Sequence, residues 1–160
     1  CSPSSKKVDW NPKYLNEDEA FFLNEISNTI IPNTEFPGAL AVGVPKEIED
    51  YVFNVFENDK IENFRNELNQ LDGHLNNSDT EKSFYKSSLK EKVVILNKLQ
   101  ESNKKPHRDI YLKIKSSVAT SYFRSEVGAT QVLRYNGPSV VLGDYKGCIP
   151  FEEVGKTWAI

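Results

Sequence analysis

The chain has 160 residues, of which 38% are hydrophobic and 27% charged, and its net charge at neutral pH is -3. That length suits one domain with a sizeable core, and the weakly acidic balance excludes a basic nucleic-acid-binding protein. No run of about 18 apolar residues occurs, so no segment reads as a membrane-spanning helix.

The start of the chain carries its own signal. Methionine is absent and residue one is Cys, followed by Ser2, Pro3, Ser4, Ser5, Lys6 and Lys7. This looks like a bacterial lipoprotein cut from a longer precursor. Cys1 would carry the acyl chains, each buried CH2 contributing about 0.8 kcal/mol, and residues 1–14 would form a polar tether. The alternative is a chain boundary that falls on Cys by chance. On the lipoprotein reading the domain sits on the periplasmic side of the cell envelope, lipid-anchored to a membrane. Cys148 is then the remaining thiol. It is paired with another chain, bridged to an unlipidated Cys1, or buried and free.

From residue 15 onward the apolar spacing is helical almost throughout. Asn16 followed by Glu19 predicts a capping box, and Glu17, Asp18 and Glu19 suit the positive end of a helix dipole. Phe22, Ile26 and Ile30 then share one face until Pro32 ends the helix. Residues 33–44 read as an ordered loop. Pro45 opens the next helix, with Ile48, Tyr51, Val52, Val55 and Phe56 expected on its inner face. Ile61, Phe64, Leu68, Leu71 and Leu75 form the cleanest amphipathic stripe, which stops near Gly73 or Asn77.

Ser78 with Glu81 predicts a second capping box, ahead of a stripe of Phe84, Leu89, Val93, Leu96 and Leu99. Pro106 opens the last long helix, which presents Ile110, Ile114, Val118 and Tyr122. Beyond it, residues 127–160 have no helical or strand period, although Val140, Val141 and Leu142 could pair as an edge strand. The fold class is therefore all-α: a single-domain bundle of about five helices from residue 15, with a long irregular C-terminal tail.

Chemistry is hard to place on this pattern. His74 and His107 lack zinc-type spacing, and no nucleophile elbow, Walker loop or dinucleotide glycine motif occurs. Glu47, Glu49 and Asp50 follow Pro45, where a dipole role explains them better than acid catalysis. Glu126 lies where the last helix ends, against the negative end of its dipole. It is expected to pair with Arg124 or Arg134, or to capture backbone amides in the following loop.

Several motifs appear in a fixed order: Asn28-Thr29-Ile30-Ile31-Pro32, Pro37-Gly38-Ala39 and Gly43-Val44-Pro45. They are followed by Tyr122-Phe123-Arg124-Ser125-Glu126-Val127-Gly128-Ala129-Thr130, Leu133, Tyr135 and Tyr145-Lys146-Gly147-Cys148-Ile149-Pro150. Together they resemble the gluconate 2-dehydrogenase subunit 3 family over residues 15–150. The resemblance implies a small, mostly helical subunit with no cofactor of its own. It would accompany a large flavoprotein, an FAD-dependent sugar or sugar-acid dehydrogenase of the glucose-methanol-choline type. The small subunit would support the large one's export and maturation, and electrons would pass from the large subunit to a cytochrome or quinone. Two departures stand out. Residues 136–144 replace a short proline-glycine turn, and Cys1 stands where the family commonly has a twin-arginine leader.

No catalytic, cofactor-binding or metal residue is expected in this chain. Contact with a larger subunit is expected from Phe36 and Pro37 in the loop, and from Tyr122, Phe123 and Glu126 at the end of the last helix. Tyr135, Tyr145 and Cys148 extend that surface into residues 127–150, with aromatic side chains as the anchors. Two alternatives stand beside this reading. The tail wraps the chain's own helices, or the protein is a free-standing helical lipoprotein that binds a small ligand or another envelope protein.

Overall fold

The computed structural model describes residues 7–76, 83–103 and 105–133. Its first helix, α1 (Glu17–Ile30), begins where local chemistry dictates. The Asn16 side chain accepts the Glu19 N–H at 2.9 Å, and the Glu19 carboxylate accepts the Asn16 N–H at 3.0 Å. Two amides that the helix leaves unpaired are thus satisfied by each other's residue. The same carboxylate, almost fully buried, accepts from Arg65 Nε at 3.1 Å and from Asn69 Nδ2 at 3.1 Å. The cap of α1 is therefore also its junction with α3.

The remaining helices are α2 (Val44–Val55), α3 (Asn58–Asn76), α4 (Leu89–Glu101) and α5 (Lys105–Arg124), with a 3-10 turn at Phe84–Lys86 and a π-helical segment at Val127–Val132. No strand occurs among the described residues, so the architecture is the expected all-α bundle. Both α1 and α5 touch each other and all three remaining helices. The core follows the stripes read from sequence. Phe22 and Ile26 of α1, Leu68, Leu71 and Leu75 of α3, and Ile110, Ile114, Val118 and Tyr122 of α5 are all buried. Each fully buried aliphatic or aromatic side chain contributes about 1.5 to 3 kcal/mol.

Four expectations change. The fourth helix starts at Leu89, capped by Ser88, whose side chain accepts the Glu91 N–H, while the Glu91 carboxylate accepts the Ser88 N–H. Phe84 instead belongs to the 3-10 turn, and the Ser78 and Glu81 pair lies outside the described residues. Leu89 and Val93 are exposed, whereas Phe84, Leu96 and Leu99 of that stripe are buried in the core. On α2 and its C-cap, Tyr51, Val55 and Phe56 are 48%, 58% and 37% exposed. Only Ile48 and Val52 of that face are buried, because the bundle covers a narrower arc of α2 than its apolar pattern spans.

Glu49 is the third change. It is fully buried, and its role is tertiary rather than dipolar. Its carboxylate accepts the backbone N–H groups of Lys13 at 3.1 and 3.2 Å, Tyr14 at 3.0 Å and Leu15 at 2.9 Å. Nearby, Trp10 Nε1 donates to Asn24 Oδ1 at 2.9 Å, and Tyr14 stacks on Phe53 with centroids 4.5 Å apart. Within the stretch read as a tether, Val8 and Trp10 thus lie against the core. The fourth change is that the tail does not begin irregularly, since residues 127–132 form the π-helical segment.

A polar network closes the α3 end. The Tyr85 hydroxyl donates to Asp72 Oδ1 at 2.5 Å, and Asn76 Oδ1 accepts from Ser83 Oγ at 2.6 Å and from the Tyr85 N–H at 3.1 Å. Burial, and then the bond to Asp72, raises the Tyr85 hydroxyl above its ordinary 10.0. An unfolded tyrosine loses its proton near pH ~10, whereas the folded one holds it to higher pH. Its stabilising contribution is therefore whole below about pH 10 and is lost as pH rises beyond. Urea unfolding from about pH 8 to about pH 11 is expected to show Tyr85→Phe losing less stability than the parent. The remaining decline belongs in part to Tyr111, which burial also raises. Identical decline in parent and variant would refute the assignment.

Candidate functional site

The loop and the last helix that sequence reading assigned to docking meet each other first. Tyr122 is 3% exposed, and its hydroxyl donates to the Pro37 carbonyl at 2.7 Å across 85 positions of chain. The two glycines nearby sit where a side chain has no room. A Cβ on Gly38 would lie 2.5 Å from the Pro32 carbonyl carbon, and one on Gly128 would lie 2.0 Å from the Tyr122 carbonyl oxygen. Ser125 completes the turn: its Oγ donates to the Tyr122 carbonyl at 2.6 Å and accepts the Gly128 N–H at 3.1 Å. Tyr122 is thus committed to the protein's own interior.

Other residues of the expected surface remain accessible. Phe36 is half-buried, and Pro37, Phe123 and Glu126 are exposed. The Glu126 carbonyl accepts from Thr130 Oγ1 at 2.7 Å. Its expected pairing with Arg134, and the expected contacts of Cys1, Tyr135, Tyr145 and Cys148, lie outside the described residues. His74 and His107 stack face to face at 4.0 Å, and among the described residues no group of three potential ligands could hold a metal ion. No helix among them is long and apolar enough to cross a membrane.

The most developed surface feature is a groove of about 350 Å³ between α2, α3 and α5. Ile48, Val52, Phe64 and Ile114 give it an apolar floor, and Tyr51 and Phe56 stand on its α2 side. These two rings meet edge to face at 5.6 Å, so each holds the other upright despite its exposure. The α5 wall is small and hydroxylated, with Ser116, Ser117, Thr120 and Ser121. Glu67 and Lys113 pair across the α3–α5 rim. Lys60 lies 5.7 Å from the Phe56 ring centroid, and neither Lys60 nor Arg124 has a carboxylate partner among the described residues.

Sequence reading missed this groove because it put Tyr51 and Phe56 inside.

The family described as gluconate 2-dehydrogenase subunit 3 matches residues 17–138, from the first residue of α1 through the π-helical segment. The chain belongs to this family. No curated protein and no solved structure matches it significantly. The subunit 3 family takes its name from one component of a dehydrogenase complex, so the protein's kind is that of a subunit associated with others. Two of the motifs that carried the resemblance, Pro37-Gly38-Ala39 and Tyr122 to Thr130, are the two halves of the Tyr122–Pro37 junction. They maintain the shape of this subunit 3 chain.

Proposed function

We propose that the protein is the non-catalytic accessory subunit of a periplasmic FAD-dependent dehydrogenase of the glucose-methanol-choline type, acting on gluconate or another sugar. It binds the large flavoprotein and supports its maturation, export or membrane placement. FAD and the chemistry belong to that partner, electrons leave it for a cytochrome or quinone, and a lipidated Cys1 holds the small subunit at the membrane. The observation that carries the reading is the uncovered face of α2. Tyr51, Val55 and Phe56 have the spacing of a core-facing stripe, yet they stand 48%, 58% and 37% exposed. Aromatic side chains on an uncovered face are typical anchors for another polypeptide.

The test is to recover the tagged chain from its native membrane in mild detergent. A flavin-containing polypeptide of several hundred residues is expected to come with it. Recovery of the small protein alone would remove the accessory role. A second reading, a free-standing helical lipoprotein with a small ligand, is favoured by the groove itself, whose volume of about 350 Å³ lies within the small-molecule range. A ligand released from the purified chain, with no partner polypeptide, would establish it.

A further inference from the structure

We infer that the flank where residues 7–15 run over α1 and α2 faces a lipid bilayer at close range, because this strap shortens the link between a lipidated Cys1 and the helices. The inference rests on the acyl anchor proposed above and specifies the surface that it presents.

The strap is fastened along its length. Val8 and Trp10 pack against the core, and Trp10 Nε1 donates to Asn24 of α1 at 2.9 Å. The fully buried Glu49 carboxylate of α2 then gathers the N–H groups of Lys13, Tyr14 and Leu15. Lys13 Nζ bonds Asp50 Oδ1 at 3.1 Å, and Tyr14 stacks on Phe53. Lifting the strap would strand a buried charge without its donors, which is costly.

Reach then decides orientation. An unattached leader of residues 1–14 would extend to about 46 to 50 Å, whereas residues 1–6 extend to about 20 to 22 Å. A folded domain of 160 residues has a radius of gyration of about 15 Å and a diameter of about 40 Å, so a quarter turn on a surface takes about 31 Å of link. The longer link permits that roll, and the shorter one forbids it. Charge plays little part, since Lys7 neighbours Asp9, and Asp50 lies between Lys13 at 3.1 Å and Lys46 at 3.7 Å. In contrast to the strap, α4 packs chiefly on α1 and α5, and its exposed Val94 marks a face turned away from the bilayer.

The test uses the full lipidated chain, isolated from its native membrane and placed in vesicles of phosphatidylethanolamine and phosphatidylglycerol that carry an energy-accepting dye on a headgroup. A fluorescent amino acid replaces Asn11 of the strap or Val94, both of them exposed. Energy transfer from position 11 is expected to exceed that from position 94 by at least about twofold. A Gly-Ser insertion of about twenty residues between Ser5 and Lys6 leaves every contact of the strap in place and adds about 25 Å of mean reach. It should erase most of the difference. Equal transfer from the two positions in the parent chain would overturn the inference. So would a difference that survives the insertion, since the short link would not be its cause. A chain taken from its membrane with no acyl group on Cys1 would instead remove the anchor and this inference together, while a flavoprotein recovered with it would leave the accessory role standing.

Discussion

Gly128→Ala is expected to lower the midpoint of thermal unfolding by about 6 to 12 °C, the equivalent of about 3 kcal/mol in a protein of this size. A Cβ at this position would fall 2.0 Å from the Tyr122 carbonyl oxygen, 2.8 Å from its carbon and 2.9 Å from the Phe123 Cα. All three are backbone atoms at the end of α5, so no side chain can swing aside to make room. Relief has to come from moving the π-helical segment away. That motion breaks the Ser125 bridge between Tyr122 and Gly128 and loosens the Tyr122 bond to Pro37. Gly73→Ala serves as the control, since nothing lies within 4 Å of its added Cβ. It replaces a glycine inside α3 and is expected to raise stability by about 0.5 to 1 kcal/mol. Circular dichroism melts of both variants decide the matter. A Gly128→Ala midpoint within about 2 °C of the parent would mean that the turn yields easily and that the close approach is not a constraint.

The second large effect lies at Glu49. Glu49→Ala is expected to cost about 3 to 5 kcal/mol, because it strands the backbone N–H groups that the carboxylate gathers and leaves a hole beneath them. Those amides, of Lys13, Tyr14 and Leu15, stand 2.9 to 3.2 Å from the carboxylate oxygens. Glu49→Gln keeps the volume but offers one oxygen and presents N–H to N–H with its other end. A loss of about 1 to 3 kcal/mol is expected there. Both changes should also release Trp10 from Asn24. In a Trp158→Phe background, Trp10 emission is expected to move to the red and amide exchange at residues 13–15 to quicken. Unaltered emission and exchange in Glu49→Ala would show that the leader is held by Trp10 and Tyr14 alone.

The pattern of success in reading this chain follows the range of the interactions involved. Asn16 with Glu19 could be recognised because a cap closes within three residues, and Pro45 because its ring acts on its own turn. The α5 stripe could be recognised because Ile110, Ile114, Val118 and Tyr122 repeat at the helix period. The cap that opens α4, Ser88 with Glu91, closes within three residues in the same way, but sequence reading singled out Ser78 with Glu81, which lies outside the described residues. The groove was least legible. Its aromatic edge, Tyr51 and Phe56, was read as core.

Sequence by itself determined that the chain is helical, where most helices start, and that the stripes of α1, α3 and α5 enter the core, since each of these is settled within one or two turns of backbone. Tertiary structure alone decided that Glu49 would gather amides 34 to 36 positions away and that Tyr122 would bond to a carbonyl 85 positions away. It also decided that Tyr51 and Phe56 would stay in the open. An amphipathic pattern states which face of a helix gains by leaving water, but whether a neighbour reaches that face depends on how the other helices cross it. That crossing is fixed by the sum of many distant contacts, and no local window contains them.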